Sequence, residues 1–383
     1  MEQGRALLRE ALDGRSIRPP IVVPFGLDPF GWHGERESYR EVCAAALERC
    51  PLLPKVYPIP QPLCVGEEGV HISCVIRLHA DGTRVREHTL ARELPAQEKP
   101  FVMTEIQTPG DSSWKKRKRW IESGEELDRF LAADFAPARP DLAAVRNKER
   151  QVGPHGLPYA EVSDPLGTVC EMLPTETFFI GLRTDRRILR LLETAAERIL
   201  SAVETLCRQA GCPFILRLIG AELAVPPFLS REDFLKLEGA FYRRVARVAR
   251  EAGIPTAFHC HGPVREIMED VWSMGFSMLE PLEPPPRGNV SISEALVAAG
   301  GRGVVFGGVD DVLLQTGEAE QVQAAVRACL REAGAADGPF ILSQSATPFF
   351  DPLEPRIRDN LLLMIEAGTA RTLPAPARNT QPL

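Results

Sequence analysis

Short apolar runs alternate with amphipathic helical stretches through the second half of the chain, and this alternation restricts the fold more than any other feature. The runs are TFFIGL (177–182), PFILRLIG (213–220), PTAFHC (255–260), FSMLE (276–280), GVVFGG (303–308) and PFILS (339–343). They are nearly continuous in apolar residues, which is typical of parallel strands that are covered on both faces. The pattern predicts six strand–helix units around a parallel sheet.

Two further runs, PPIVVPF (19–25) and KPFVMTEI (99–106), bring the number of predicted strands to eight. Eight parallel strands separated by helices favour an α/β fold closed into a (βα)8 TIM barrel over an open doubly wound sheet. No GxGxxG follows any of these strands, which argues against a dinucleotide-binding fold. We therefore predict a single barrel domain over residues 1–371.

An N-terminal helix and a β-hairpin are predicted as additions to this barrel. Residues 1–14 have the spacing of a short amphipathic helix and not of an apolar leader. Two strand-like runs at 71–79 and 83–90 flank an Asp81-Gly82 pair, which is the pattern of a tight hairpin. The hairpin belongs to a predicted insertion at about residues 60–98.

Three other stretches carry weaker signals. Region 107–175 is rich in proline, glycine and charge and gives no clear assignment, and the tail at 372–383 is predicted to be disordered. Within the first stretch, residues 114–120 place five consecutive cations between two tryptophans. Such a run can steer a polyanionic substrate, but it is more often a solvated loop or helix face, and we favour the second interpretation.

The composition argues against several classes of protein. A formal net charge of −7 disfavours a general nucleic-acid binder, because phosphate contacts need a basic surface. Nine cysteines without a CxxC pair fit free thiols in a reducing compartment. No apolar stretch approaches the length that crosses a membrane. The sequence thus predicts a cytoplasmic protein that acts on a small molecule.

His259 and His261 are the sharpest sign of chemistry. They stand two residues apart where a predicted strand ends, so both imidazoles can face the barrel axis. Active sites of such barrels lie at the carboxyl ends of the strands. Two imidazoles on one face are natural ligands for zinc or a similar divalent ion, although both can also be ordinary hydrogen-bonded polar residues. Gly262 and Pro263 are predicted to begin the next helix.

Carboxylates follow the neighbouring strands. Glu222 and Asp310 come directly after strands in glycine-containing turns, and we prefer them as a third ligand or as acid/base groups. Carboxylates at such places can instead cap helices or pair with arginines. The remaining polar groups at the strand ends are assigned to substrate binding, and they are Arg217, Glu280, Glu283 and Ser345.

The stretch from about 217 to 368 resembles the C-terminal half of the uroporphyrinogen decarboxylase superfamily. The resembling segments are a turn with Glu222, FHCHGPV (258–264), LEPLEPPPRGN (279–289), GGVD (307–310) followed by LLQTG, and FILSQSATP (340–348). Weaker similarity extends to RPPIVVPFG (18–26) and EIQTPGD (105–111). The family has a (βα)8 barrel, which agrees with the strand count.

The resemblance implies one of two chemistries. Some members decarboxylate uroporphyrinogen without a metal, whereas others use zinc to transfer a methyl group between a corrinoid and a thiol. VPFGLDPFGWHG (23–34) lacks the arginines with which the decarboxylases bind substrate carboxylates. His259-x-His261 stands where the methyltransferases have His-x-Cys, which implies a retained metal pair. Their third ligand, a cysteine after the last strand, has only Ser345 and Ala346 in its place.

Our first hypothesis is a metal-assisted methyltransferase or demethylase that uses zinc and works with a corrinoid partner. His259 and His261 would hold the metal, and Glu222 would complete the site or act as a base. Asp310 would position the substrate. The sequence leaves open whether the chain forms a homodimer.

Two alternatives remain at this stage. One is a metal-independent decarboxylase of a tetrapyrrole-like or other polycarboxylate substrate, with Arg183, Arg217 or the run at 115–119 as a cationic clamp. The other is a non-catalytic barrel that binds a corrinoid protein.

Overall fold

A computed structural model describes residues 3–15, 20–60, 65, 70–92, 99–109, 114–133, 135–336 and 338–370. The predicted disordered tail at 372–383 and part of the predicted insertion at 60–98 lie outside the described residues. The described strands are β1 Ile21–Val22, β2 Lys55–Val56, β3 Val70–Leu78, β4 Arg84–Arg92, β5 Phe101–Gln107, β6 Lys115–Lys118, β7 Tyr159–Ser163, β8 Ile215–Ile219, β9 Thr256–His259, β10 Met278–Leu282, β11 Val304–Val309 and β12 Phe340–Gln344.

Helices surround the strands. The described α-helices are α1 Gly4–Leu12, α2 Arg40–Arg49, α3 Gly124–Ala132, α4 Leu142–Val152, α5 Pro165–Met172, α6 Thr175–Thr184, α7 Arg186–Gln209, α8 Arg231–Leu237, α9 Gly239–Glu251, α10 Met268–Met274, α11 Ile292–Ala299, α12 Asp311–Thr316, α13 Ala319–Ala336 and α14 Pro355–Thr369.

Eight strands form one sheet in the order β1-β12-β11-β10-β9-β8-β7-β2, and all seven of its pairings are parallel. Side chains span the two end strands, because the Lys55 amine lies 5.0 Å from the ring centre of Phe25, just after β1. The parallel strands and surrounding helices confirm the predicted α/β fold of TIM-barrel type.

Two of the eight predicted barrel strands are wrong. Residues 177–182 lie inside helix α6, where Phe178, Gly181 and Leu182 are buried while Ile180 is 55% exposed. This spacing is that of one helix face, which a short apolar run does not reveal. Residues 99–106 form β5, whose burial alternates, and β5 belongs to a separate antiparallel sheet. The barrel uses β2 and β7 instead.

The predicted hairpin is confirmed and is larger than expected. Strands β3 and β4 pair in antiparallel fashion, and β5 and β6 extend them to a sheet of order β3-β4-β5-β6. The basic run at 115–118 forms β6, so its assignment to a loop or helix face is wrong. Lys116 contacts Glu171, and Lys118 lies 3.5 Å from Glu126, so neighbouring acids offset part of its charge.

Strand alternation separates the barrel interior from the layer beneath the helices. Ile215, Ala257 and Met278 belong to an inner apolar cluster, whereas the residues that follow each of them pack outward against helices. Helix α1 closes one end of this interior, since Leu8 and Ala11 are buried in the same cluster. The apolar interior leaves the opposite end, where the strands terminate, for polar side chains.

One predicted helix begins later than expected, and a second helical segment is interrupted. The helix that follows the histidines begins at Met268 and not at Pro263, because residues 265–267 form a turn. Residues 231–251 form two helices, α8 and α9, which meet at Glu238. The Glu238 side chain is fully buried and accepts a hydrogen bond from the Leu166 amide, 2.9 Å away at the start of α5.

Asp164 and Glu238 form a buried pair of carboxyl groups at the start of α5. Asp164 accepts hydrogen bonds from the Gly167 amide and from the Tyr242 hydroxyl, at 2.6 and 2.5 Å. Burial raises the pKa of Asp164 to about 7, and burial together with Asp164 raises the pKa of Glu238. Two anions cannot share this apolar site cheaply, so at least one carboxyl group is protonated near neutral pH.

In the parent protein the free energy of unfolding is expected to fall as the pH rises from about 4 to 7. The substitution Glu238→Gln is expected to make this decrease smaller. Acids whose pKa is raised on folding stabilise the folded state below their unfolded pKa, and that contribution is lost as the pH rises through the folded pKa. The amide cannot ionise, so the variant gains stability relative to the parent protein as the pH rises. Thermal unfolding at pH 5 and pH 8 measures the difference. An equal change in unfolding temperature between pH 5 and pH 8 in both proteins would contradict the prediction.

None of the helices in the described part of the chain combines the length and the apolar character that crossing a membrane requires.

Candidate functional site

Three polar side chains meet inside the barrel, toward the carboxyl ends of strands β8, β9 and β10. Arg217, His259 and Glu280 all point into the barrel, and their exposed fractions are 2%, 7% and 0%. The Arg217 Nε donates to Glu280 Oε1 at 2.7 Å, and its second terminal nitrogen lies 2.7 Å from His259 Nδ1. Glu280 Oε1 also lies 3.1 Å from that Nδ1. The three residues thus form a continuous hydrogen-bonded network.

Arg217 balances the charge of two buried carboxylates. It donates to Glu280 and also contacts Glu161 on the neighbouring strand β7. Burial opposes ionisation of Glu280, but Arg217 and His259 together lower its pKa to about 2. Burial, followed by the charge of Arg217, lowers the pKa of His259, so this imidazole is neutral at physiological pH.

His261 lies two residues beyond His259, past the end of β9, and it is more exposed, but both imidazoles line the same cavity. The two imidazole centres are 4.7 Å apart with perpendicular rings. His261 Nδ1 lies 3.1 Å from Glu283 Oε1, and Glu283 Oε2 accepts from the Gly262 amide at 2.7 Å. Burial lowers the pKa of His261, but the bond to Glu283 and the negative charges of Glu283, Glu222 and Glu280 together outweigh burial and raise the pKa overall.

Glu222 completes the group from the neighbouring strand end. It lies on a short 3-10 helix, Ala221–Ala224, that follows Gly220. Gly220 adopts φ +117°, and a Cβ there would meet Asp164 Oδ1 at 2.4 Å, so the turn that presents Glu222 requires glycine. Glu222 Oε1 lies 3.3 Å from His259 Nε2 and accepts from the His261 amide at 3.3 Å.

The structure brings Glu222, His259 and His261 together as a candidate metal site. One ligand atom from each residue lies within 4.8 Å of the other two, and no other group of this kind occurs in the described ranges. Two imidazoles and one carboxylate are a ligand set of catalytic zinc sites that keep an open position, and the same set also binds non-haem iron.

The hydrogen bonds around the imidazoles fit a metal on their Nε2 atoms. Glu283 accepts from Nδ1 of His261, which leaves Nε2 with a free lone pair, as in carboxylate–histidine–zinc sites. His259 Nδ1 faces a donor, Arg217, and an acceptor, Glu280. Metal binding through its Nε2 requires the tautomer whose Nδ1–H donates to Glu280, and that acceptor is in place.

Two other predicted site residues, Asp310 and Ser345, do not contact the triad directly. Arg287 contacts Glu283 at 3.5 Å and Asp310 at 3.0 Å, so Asp310 reaches His261 through two side chains. Asp310 also caps α12. Ser345 Oγ donates to Asp311 Oδ1 at 2.8 Å. The predicted roles of these residues in catalysis and substrate binding stay predictions.

A cavity of about 590 Å³ opens above the triad and contains residues that the sequence did not single out. Lys55 and Glu161 line its inner wall, with Phe25 and Phe349 as apolar neighbours. Lys55 and Glu161 come from the two unrecognised strands, β2 and β7. The alternation in YAEVS (159–163) could have placed Glu161 inward, whereas a two-residue strand leaves no periodic signal for Lys55.

Comparisons with known proteins agree with the sequence resemblance. Residues 165–348 match the family model of uroporphyrinogen decarboxylase (URO-D). Over these residues the chain is similar to the uroporphyrinogen decarboxylase family. Among solved structures, a methyltransferase from Methanosarcina mazei superposes with a TM-score of 0.58 at 14% identity, over 96% of this chain and 98% of that chain. This likeness shows a shared fold. A search of curated proteins finds no significant match.

Proposed function

We propose that this protein is a uroporphyrinogen decarboxylase-superfamily enzyme, a metal-assisted methyltransferase or demethylase that acts on a small molecule with a corrinoid partner. The observation that carries the proposal is the Glu222–His259–His261 triad at the mouth of the barrel. The structural likeness to a methyltransferase supports methyl transfer over decarboxylation. Zinc bound there would act as a Lewis acid on the atom that gains or loses the methyl group.

The protein's own residues would hold and orient the reacting groups. Glu283 would fix the ring of His261, and Glu280, which Arg217 holds in place, would fix the ring of His259. Because His259 is neutral, it can bind a cation without first losing a charge. Glu222 supplies the one anionic ligand. We further propose that Asp310 acts through Arg287 by holding the carboxylate of Glu283 in place.

The ligand set of the proposed metal site indicates which group of the substrate would carry the methyl group. A nitrogen and oxygen set leaves more positive charge on zinc than a thiolate-rich set, which favours an oxygen-centred group over a thiol as the partner of methyl transfer.

The alternative of a polycarboxylate decarboxylase has less support. Arg217 is already paired with Glu161 and Glu280, and Arg183 is paired with Asp233 at 2.8 Å on an exposed surface. The second alternative, a non-catalytic barrel that binds a corrinoid protein, predicts no turnover. A homodimer also stays a proposal, and light scattering of the purified protein tests it.

Turnover in a defined mixture tests the proposed function. The purified protein is incubated with zinc, a reduced corrinoid and a panel of methoxylated, methylthiolated and methylamino small molecules, and methyl-corrinoid is followed by its absorbance. We expect turnover that a chelator abolishes and zinc restores. Chelator-insensitive turnover, or no methyl transfer with any of the three classes while carbon dioxide is released from a carboxylate substrate, would contradict the proposal.

A further inference from the structure

Lys55 lies on the wall of the mouth cavity with its charge only loosely paired. Its side chain is 17% exposed, and its amine lies 3.8 Å from Glu161 Oε2, which is longer than a hydrogen bond. That same oxygen already accepts from Arg217. Burial and the nearby charge of Arg217 lower the pKa of Lys55, and Glu161 and Glu280 only partly counter them. A partly buried amine in this state is stabilised when an anion binds to it.

The other cations near the cavity are already engaged. Arg217 contacts Glu161, Glu280 and His259. On the outer rim, Glu171 is contacted by Lys116 of β6. Among the described residues that line the cavity, Lys55 is therefore the cation that can still offer hydrogen bonds to a ligand.

Apolar and aromatic side chains form part of the cavity wall near Lys55 and the triad, beside the charged Glu161 and Arg217. The ring of Phe25 lies 5.0 Å from the Lys55 amine on one side and stacks against His259 on the other, with ring centres 6.0 Å apart and an angle of 15°. Leu223 and Phe349 line the same cavity. One flat molecule with an apolar body can therefore reach both Lys55 and the imidazoles.

We propose that Lys55 binds the carboxylate of the substrate, and that the substrate is a small aromatic or similarly flat monocarboxylate. Its reacting group would point toward His259 and His261 while its carboxylate accepts hydrogen bonds from the amine. The identity of the reacting end rests on the proposed function, whereas the carboxylate anchor does not.

Binding of a probe carboxylate tests the anchor independently of turnover. Benzoate and its neutral analogue benzamide are titrated calorimetrically, up to millimolar concentrations, into the parent protein and three variants, each zinc-loaded and chelator-treated. Lys55→Met removes the charge but keeps the stem, Lys55→Arg keeps a cation, and Lys236→Met removes an exposed lysine as a matched control. Thermal unfolding of each variant verifies that it is folded.

We expect the parent protein to prefer benzoate over benzamide by at least about tenfold, which corresponds to about 1.4 kcal/mol, because a charge-assisted hydrogen bond is stronger than a neutral one. Lys55→Met should lose this preference, Lys55→Arg should retain most of it, and Lys236→Met should not change it. Equal binding of both probes by the parent protein, or an unchanged preference in Lys55→Met, overturns the proposal.

The two metal states separate this proposal from the proposed function. If benzoate binding needs zinc but not Lys55, the carboxylate binds the metal, so the anchor fails while the metal site stands. If benzoate binding needs Lys55 and the protein takes up no zinc, the anchor stands and the metal-assisted function fails.

Discussion

Replacement of both His259 and His261 by alanine is expected to abolish stoichiometric zinc binding and, with it, methyl transfer. Mutation of groups that merely orient zinc ligands weakens affinity about 10–100-fold, so the loss of two direct ligands should exceed the upper end of that range. Glu222 alone cannot hold the ion against water. Metal analysis after dialysis against buffered zinc, together with the corrinoid assay, measures both effects.

A matched control makes this prediction specific. His79 is an exposed histidine beside the hairpin turn, far from the triad in the fold, and His79→Ala should keep both zinc and turnover. Glu283→Gln should give an intermediate loss of zinc affinity, because it removes the carboxylate that orients His261. Full zinc occupancy in the double histidine variant would refute the assignment of the metal site.

The substitution Arg217→Met is expected to lower the free energy of unfolding by about 3–5 kcal/mol at pH 7, since it leaves buried Glu161 and Glu280 without their counter-charge. The loss should shrink in acid. In the parent protein the pKa of Glu280 is about 2, so its stabilising contribution is present above its ordinary pKa and is lost as the pH falls toward 2. Without Arg217 that contribution is missing already at neutral pH.

Chemical denaturation at pH 7 and pH 4 measures this difference. Arg183→Met serves as the control, because Arg183 is 65% exposed and its ion pair with Asp233 lies at the surface. Exposed pairs contribute roughly 0–1 kcal/mol, so that variant should unfold almost like the parent protein. Similar losses in the two variants would show that the Arg217 network contributes no more than a surface ion pair.

Several features of the site followed from local sequence alone. The period of two in His259-x-His261 places both imidazoles on one side of a strand whatever the rest of the fold does. The order of strands and helices placed Glu222 and Glu283 after the two strands on either side of the histidine strand, and parallel strands share one carboxyl edge. The resemblance to the superfamily added the expectation of a metal pair, but its cysteine position holds Ser345, which is bonded to Asp311.

Other features depended on which strands become neighbours. Residues 177–182 and 99–106 have strand-like composition, yet the first forms a helix and the second joins another sheet, because burial by distant segments outweighs local preference. The strands that replace them, β2 and β7, bring Lys55 and Glu161 into the cavity. The local sequence around Lys55 and Glu161 does not predict that these residues line the cavity.

The sequence by itself determined the class of fold, the edge at which the site lies and the histidine pair. Only the tertiary structure decided that Glu222 lies near enough to complete a triad, that Arg217 pairs with buried carboxylates and that Lys55 faces the cavity. The physical reason is that periodicity fixes the direction of a side chain within its own strand, whereas charge balance and metal geometry depend on distances between strands far apart in the chain.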